Sequence, residues 1–305
     1  MTPSLRTALR LSPAEVDAVH RLVKEVAAAD GHLPLSEHVM LHLPLGGDED
    51  VRHVLVESTE GLLGYAHLDV TDPVAGPSAE AVVHPQARRQ GIGRDMVDEL
   101  VRQSADGRLR LWAHGEHPAA AQLARALGFV RNRVLWQMRR PLTGELPPYT
   151  LPEGVRLRTF VVGQDEQEWT ALNARAFADH PDQGRWGVEE VRLREQEPWF
   201  DPAGFLLAEQ DDALVGFHWT KVHGSDPGSG EHAHEPVGEV YVVGVDPAQQ
   251  GRGLGPVLTL AGLHSLQRRG LDGVLLYVDE SNISAIRVYE RLGFTRAATD
   301  VCWSL

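Results

Sequence analysis

The chain has 305 residues, 42% of them apolar and 24% charged, with 30 glycines. This composition excludes disordered and fibrous classes, and at roughly 100–200 residues per domain the length favours two domains. A formal net charge of -14, from 43 acidic and 29 basic residues, would repel a phosphate backbone, so no nucleic-acid partner is expected. The charge is compatible with a cationic acceptor such as an amine, although a solvated acidic surface is the simpler cause.

The single cysteine, Cys302, cannot form an intrachain disulfide, and the first residues have no apolar core of a secretory signal, so a cytoplasmic location is expected. Apolar runs such as Val274 to Val278 fall far short of the roughly 20 residues that span a bilayer, and no membrane association is expected.

Ser12-Pro13-Ala14-Glu15 has the form of a capping box with proline at the first helical position. The apolar spacing of Val16, Val19, Leu22, Val23 and Val26 then predicts a helix over about 13–29. Strands are predicted over 51–58, 62–70 and 79–84, the last ended by Pro85, and together they read as an antiparallel meander. A glycine loop follows, then a helix near 93–105, a strand over 108–113, a helix near 118–127 closed by Gly128, and a strand near 133–140. Four prolines and a glycine between Pro141 and Pro152 break every periodicity and read as a linker.

The second half repeats this order. It has a strand over 155–160, helices over 164–177 and 187–196, strands over 204–209 and 214–222, a polar loop over 223–237, and a strand over 238–245. A second glycine loop precedes a helix over 255–269, a strand over 274–278, a helix over 283–292 and a last strand near 295–304. Val83-His84-Pro85 with Arg88-Arg89-Gln90-Gly91-Ile92-Gly93 matches Val245-Asp246-Pro247 with Gln250-Gly251-Arg252-Gly253-Leu254-Gly255 at a constant offset of 162, from Val83 to Val245. Leu127-Gly128-Phe129 matches Leu292-Gly293-Phe294 at an offset of 165, from Gly128 to Gly293. A repeat of that length is a duplicated domain, since solenoid repeats are roughly 20–50 residues long. The expected division is 1–141, a linker over 142–152, and 153–305.

In each half a strand meets a proline, then Arg/Gln-x-x-Gly-x-Gly, then an apolar helix. Glycines there let backbone N–H groups converge at a helix N-terminus, where the helix dipole also favours an anion such as a pyrophosphate. Neither loop is a complete G-x-G-x-x-G, and neither carries the Gly-Lys-Ser/Thr of a P-loop. The pattern resembles the GNAT acetyltransferase superfamily. The resemblance implies a mixed α/β fold, in which each of two tandem GNAT domains is a mostly antiparallel mixed sheet flanked by helices, and it implies acetyl-CoA as cosubstrate.

Within that superfamily the chain is similar, from about residue 10 to 303, to the tandem enzymes that acetylate the cysteine amine of cysteinyl-glucosaminyl-inositol in the last step of mycothiol biosynthesis. The likeness is carried by strings such as Leu111-Trp112-Ala113-His114-Gly115, Gln137-Met138-Arg139-Arg140-Pro141-Leu142 and Gly216-Phe217-His218-Trp219-Thr220-Lys221-Val222-His223. On that resemblance acetyl-CoA contacts Ala81, Val82, Val83, Arg89, Gln90, Gly91, Ile92, Gly93 and Arg94 in the first domain. In the second it contacts Val243, Gly244, Val245, Gln250, Gly251, Arg252, Gly253, Leu254, Gly255, Pro256, Asn282, Ile283, Ser284, Ala285, Ile286 and Arg287.

Amine acetylation needs a base for the ammonium proton and an acid for the departing thiolate. At the repeat offsets Glu239 corresponds to Pro77 and Tyr289 to Ala124, so the first copy has neither group at those positions. The second domain is therefore expected to be catalytic and the first to bind acetyl-CoA without turnover. The resemblance assigns Glu239 as base and Tyr289 as acid. By themselves a glutamate at a strand start is usually a solvated edge residue and such a tyrosine usually half-buried packing. The same resemblance places Glu37, Asp182, Lys221, Glu239 and Tyr277 against the acceptor, a small-molecule amine. Two readings remain beside this one: a GNAT enzyme for another amine, such as an aminoglycoside, a polyamine or a protein N-terminus, and a non-catalytic acetyl-CoA-binding module.

No metal is expected. Catalytic zinc takes three protein ligands on a rigid frame, whereas His232 and His234 stand among glycine, serine and proline, and His114 and His117 form only a pair. The loop over 223–237 precedes Glu239 and has the length of a lid over the acceptor. The chain is expected to be a monomer.

Overall fold

The computed structural model describes residues 3–36, 39–40, 43, 51–59, 61–71, 76–104, 107–178, 183–223 and 236–305. The chain divides into two compact units. The first comprises Met1–Trp136, Asp279–Ser281 and Ala298–Leu305, and the second Gln137–Val278 and Asn282–Ala297.

In the first unit the strands β1 (Ser4–Ala8), β2 (Val51–Ser58), β3 (Gly61–Asp69), β4 (Ser78–Val83) and β5 (Arg110–Ala113) run in that order across the sheet. The end of the last strand, β12 (Thr295–Ser304), joins them, with Val301 opposite Ala113 and Ser304 opposite Arg110. All pairs are antiparallel except β4 with β5. β1 is absent from the sequence reading. It is five residues long, and its side chains are exposed or only half-buried, so it lacks a clear apolar alternation.

The helix α1 (Pro13–Asp30) has the expected capping box, with the Ser12 N–H donating to Glu15 Oε2 at 2.5 Å. Its stripe of Val16, Val19, Leu22, Val23 and Val26 is buried with Leu55, Tyr65 and Val82 on one face of the sheet, each fully buried aliphatic side chain contributing about 1.5–3 kcal/mol. On the other face α2 (Ile92–Gln103) and α3 (Pro118–Ala126) cover Val54, Leu68 and Ala79 through Met96, Val97, Leu100 and Ala124.

The second unit orders its strands β6 (Val130–Pro141, from Gln137 onward), β11 (Gly273–Asp279), β10 (Val237–Val245), β9 (Ala213–His223), β8 (Phe205–Gln210) and β7 (Arg156–Thr159). β10 pairs parallel with β11, whereas β9 pairs antiparallel with both β8 and β10, and β7 with β8. α4 (Glu166–Ala176) and α5 (Val188–Glu195) contribute Trp169, Leu172 and Val191 to one core, which is aromatic. Trp169 meets Phe205, Phe217 and Trp219 edge-on, and Phe205 stacks on Trp219 at 4.3 Å. α6 (Leu254–Arg268) covers the opposite face through Leu254 and Leu258, and α7 (Ile283–Arg291) precedes β12.

Between β6 and β7 the proline-rich segment carries no regular element, yet it is held in the second unit. Leu142 and Leu146 are buried, Gln267 donates to the carbonyls of Leu142 and Gly144, and His264 contacts the Pro147 carbonyl oxygen at 3.0 Å.

Candidate active site

The same local device appears in both units. The parallel pairing of β4 with β5 ends at Glu80 opposite Trp112, although β4 continues to Val83. That of β10 with β11 ends at Val240 opposite Leu276, although β10 continues to Val245. Where the strands part, the edge of the longer one offers backbone N–H and C=O groups that an extended amide chain can pair with. Each strand then runs into a single 3₁₀ turn beginning at proline, Pro85–Ala87 and Pro247–Gln249. His84 and Asp246 hold equivalent places at its start, each accepting from the N–H two residues on.

The helices that follow begin at Gly91, with φ 92°, and Gly253, with φ 83°. Positive φ at these positions favours glycine, and a glycine at the cap supplies no side-chain oxygen to the helix N-terminus. The first-turn N–H groups of α2 and α6 therefore lack a side-chain cap, and the space beside each cap glycine is open, for a Cβ there would meet nothing within 4 Å. These are the features an anionic pyrophosphate requires, so the loops at Gly91 and Gly253 fit the pyrophosphate of acetyl-CoA. Arg88 and Gln250 also hold equivalent places, donating to the Val83 and Val245 carbonyls at 3.2 and 3.4 Å. Gly244 answers a different need. A Cβ there would lie 2.7 Å from the Phe217 ring, so its smallness serves the aromatic core.

Glu239 lies on β10 with Lys221 opposite it on β9 and Leu275 opposite it on β11. Its side chain is buried, and its Oε2 accepts from His223 Nε2 at 2.6 Å. Lys221 is buried too. Its Nζ sits 4.3 Å from the Trp199 ring centre and 5.4 Å from that of Tyr241, a cation held against aromatic faces. A β-bulge in β10 at Tyr241 puts that ring on the same side as Trp199 and Trp219. The Tyr241 hydroxyl accepts from Arg194 Nε at 2.7 Å, and the Arg194 guanidinium stacks 3.8 Å above Trp186. One face of the sheet thus carries a buried carboxylate, a buried ammonium and an aromatic wall.

Tyr289 projects from α7 against Phe294 and is buried, which pushes its phenol up to about 12 and keeps the proton on it at neutral pH. Such a group can give a proton to a developing thiolate. Asn282 caps α7 by accepting from the Ala285 N–H at 3.1 Å, while Ile283 is exposed and Ile286 buried. Tyr277 is half exposed and its hydroxyl accepts from Gln137 Nε2 at 2.8 Å. Glu37, Asp182, His232 and His234 lie outside the described residues, as does nearly all of the predicted lid. Among the described residues no group of three or more His, Cys, Asp or Glu side chains could hold a metal ion, and no helix is long and apolar enough to cross a membrane.

The sequence reading omitted Trp199, Tyr241 and His223. The last two were within reach: Trp219, Lys221 and His223 alternate along β9 and so share a face, as Glu239 and Tyr241 do along β10 up to the bulge.

Known proteins match the chain over nearly all of its length. The acetyltransferase (GNAT) family profile matches residues 168–294 and an acetyltransferase (GNAT) domain profile matches residues 49–131. A mycothiol acetyltransferase of Streptosporangium roseum is 53% identical, covering 96% of this chain and 97% of that protein. One of Acidothermus cellulolyticus is 56% identical over 96% and 91%. The chain belongs to the mycothiol acetyltransferase family of GNAT enzymes. It is an acetyl-CoA-dependent N-acetyltransferase with two GNAT domains. Among solved structures, a tandem GNAT protein from the clavulanic acid biosynthesis pathway has the same fold, with a TM-score of 0.74 at 19% identity and coverage of 99% of this chain and 98% of that one. A GCN5-related N-acetyltransferase from Sphaerobacter thermophilus reaches 0.69 at 26% identity over 99% and 95%.

Proposed function

We propose that this enzyme acetylates the cysteine amine of cysteinyl-glucosaminyl-inositol, completing mycothiol, and that the second unit performs the chemistry. The observation that carries the assignment to the second unit is the buried Glu239 beside Lys221 on the strand that leads into the glycine cradle. Its counterpart in the first unit is Pro77, which has no titratable group.

Acetyl-CoA, when bound, supplies an acetyl group activated as a thioester. Val243 to Val245 pair with its amide arm along the free edge of β10, and the first-turn N–H groups at Gly253 hold the pyrophosphate. The Glu239 carboxylate removes a proton from the acceptor's ammonium, directly or through a water molecule, freeing the nitrogen lone pair to attack the thioester carbon; the nitrogen gives up its second proton as the C–S bond breaks. Tyr289 Oη gives a proton to the coenzyme sulfur. Asp182, Lys221 and Tyr277 bind the acceptor. The carboxylate accepts charge-assisted hydrogen bonds from sugar and inositol hydroxyls, whereas Lys221 and Tyr277 donate. The first unit binds acetyl-CoA without turnover.

The test is a panel of amine acceptors incubated with purified protein and acetyl-CoA and scored by mass for one added acetyl group. Preferential acetylation of cysteinyl-glucosaminyl-inositol supports the proposal. A polyamine or aminoglycoside acetylated faster would replace it with another amine acceptor on the same fold.

A further inference from the structure

Acetylating an ammonium forms an N–C bond and breaks a C–S bond. The nitrogen loses two protons on the way from ammonium to amide, the departing thiolate takes up one, and one leaves for solvent in every cycle. The base that removes a proton must therefore lose it again before the next turnover. Glu239 is poorly placed to do so alone, for its side chain is only 8% exposed. The side chain that touches it, His223, is 39% exposed and meets Oε2 through Nε2 at 2.6 Å.

We infer that His223 is a positioning residue for Glu239 and also the group through which the proton leaves. This rests on Glu239 being the base. The arrangement has three physical elements. His223 and Lys221 alternate on one face of β9, and Lys221 stands directly across from Glu239, so the imidazole reaches the carboxylate from the adjacent strand position with no backbone distortion. With Glu239 ionised, Nε2–H donates and fixes the rotamer of the carboxylate, leaving its other oxygen for the acceptor. Once the other oxygen, Oε1, has taken the acceptor's proton, the carboxyl turns it towards His223; the imidazole, brought by exchange with solvent to its neutral Nδ1–H tautomer, accepts that proton at Nε2, and the imidazolium so formed gives its Nδ1 proton to water, which restores the Nε2–H donor. An imidazole suits this exchange because its ordinary pKa of about 6.5 lies near neutral pH. Among the described residues His223 meets Glu239 from β10, and Lys221 stands two positions away along β9. Lys221 is held against Trp199 and Tyr241.

The experiment compares His223→Gln and His223→Ala with the full-length enzyme, using the best acceptor found with the wild type. Glutamine keeps a donor near Glu239 but cannot carry a proton. We expect kcat to fall by about tenfold or more in both variants, up to the roughly 10²–10⁴-fold that general acid–base catalysis contributes, with KM for acetyl-CoA unchanged. Added imidazole should restore kcat in His223→Ala, and substituted imidazoles should do so in proportion to their basicity. Thermal melting of both variants establishes that they fold. Wild-type kcat in either folded variant overturns the inference, and so does a loss in His223→Ala that imidazoles do not repair. If Glu239→Gln leaves turnover intact, the assignment of the base has failed and the relay falls with it, whereas a loss in Glu239→Gln beside wild-type kcat in the His223 variants overturns the relay alone.

Discussion

Replacing Asp300 with alanine should destabilise the first unit, because this residue anchors the last strand through a buried ion cluster. His114, just beyond β5, lies between two carboxylates: Nδ1 is 3.1 Å from Asp300 Oδ2 and Nε2 is 3.4 Å from Glu80 Oε2. Asp300 Oδ1 also accepts from the Gly115 N–H at 2.9 Å, and Glu80 accepts from the Ser36 N–H at 2.6 Å. Burial alone would push His114 down, but the two carboxylates outweigh it and raise its pKa from 6.5 to about 10. Burial likewise opposes ionisation of Glu80, which His114 and Ser36 nevertheless hold at about 2.

Removing one partner of a buried pair costs about 3–5 kcal/mol. Since His114 keeps Glu80 and these side chains are 13–14% exposed, a loss of about 2–3 kcal/mol is expected, or roughly 5–10 °C in Tm at about 2–4 °C per kcal/mol. The sign with pH follows from the two shifts. The stability held by His114 is full below pH 6.5 and is lost as pH rises through about 10; that held by Glu80 is present above pH 4.5 and lost as pH falls towards 2. Urea unfolding of wild type and Asp300→Ala from pH 5 to 10, with hydrogen exchange at the Gly115 amide, measures this. A difference below about 0.5 kcal/mol at pH 6, or one that stays constant up to pH 10, would refute the reasoning.

Gly244→Ala should cost about 1–3 kcal/mol by overpacking against Phe217, read as a lower urea midpoint with unchanged slope. Gly253→Asp should abolish activity by placing a side chain and a negative charge where the pyrophosphate sits, whereas Gly91→Asp should weaken first-unit binding or stability with less effect on turnover; the reverse pattern in kinetic assays would assign the chemistry to the wrong unit. Free cysteine should be a poor substrate and cysteinyl-glucosamine an intermediate one by kcat/KM, because a site built for hydroxyls leaves polar groups unpaired without them. Equal values across the three acceptors would contradict recognition of the sugar and inositol.

Much of the fold was legible because apolar periodicity survives in single elements. The stripe from Val16 to Val26 and the strand-to-proline ends at Pro85 and Pro247 needed no partner to be read. β1 was missed because a short edge strand whose side chains are all exposed or half-buried shows no apolar alternation. The place of Ala298–Leu305 in the first unit could not be read, because β12 looks the same in sequence whichever sheet it joins. At the site, the repeat singled out Glu239 and Tyr289 by what the first copy lacks. The contact of His223 with Glu239 depends on β9–β10 register and that of Lys221 with Tyr241 on a bulge, neither of which the sequence pattern specifies, and Trp199 reaches Lys221 from outside both strands.

The most direct measurement of the central claim is steady-state acetylation by Glu239→Gln beside the affinity of the same variant for acetyl-CoA. The substitution removes the proton acceptor on β10 while leaving the backbone cradle at Gly253 intact, and a base contributes roughly 10²–10⁴-fold to rate. The account predicts a fall in kcat of that order with acetyl-CoA still bound as tightly as by the wild type. Unchanged kcat would remove Glu239 from the mechanism and contradict the account.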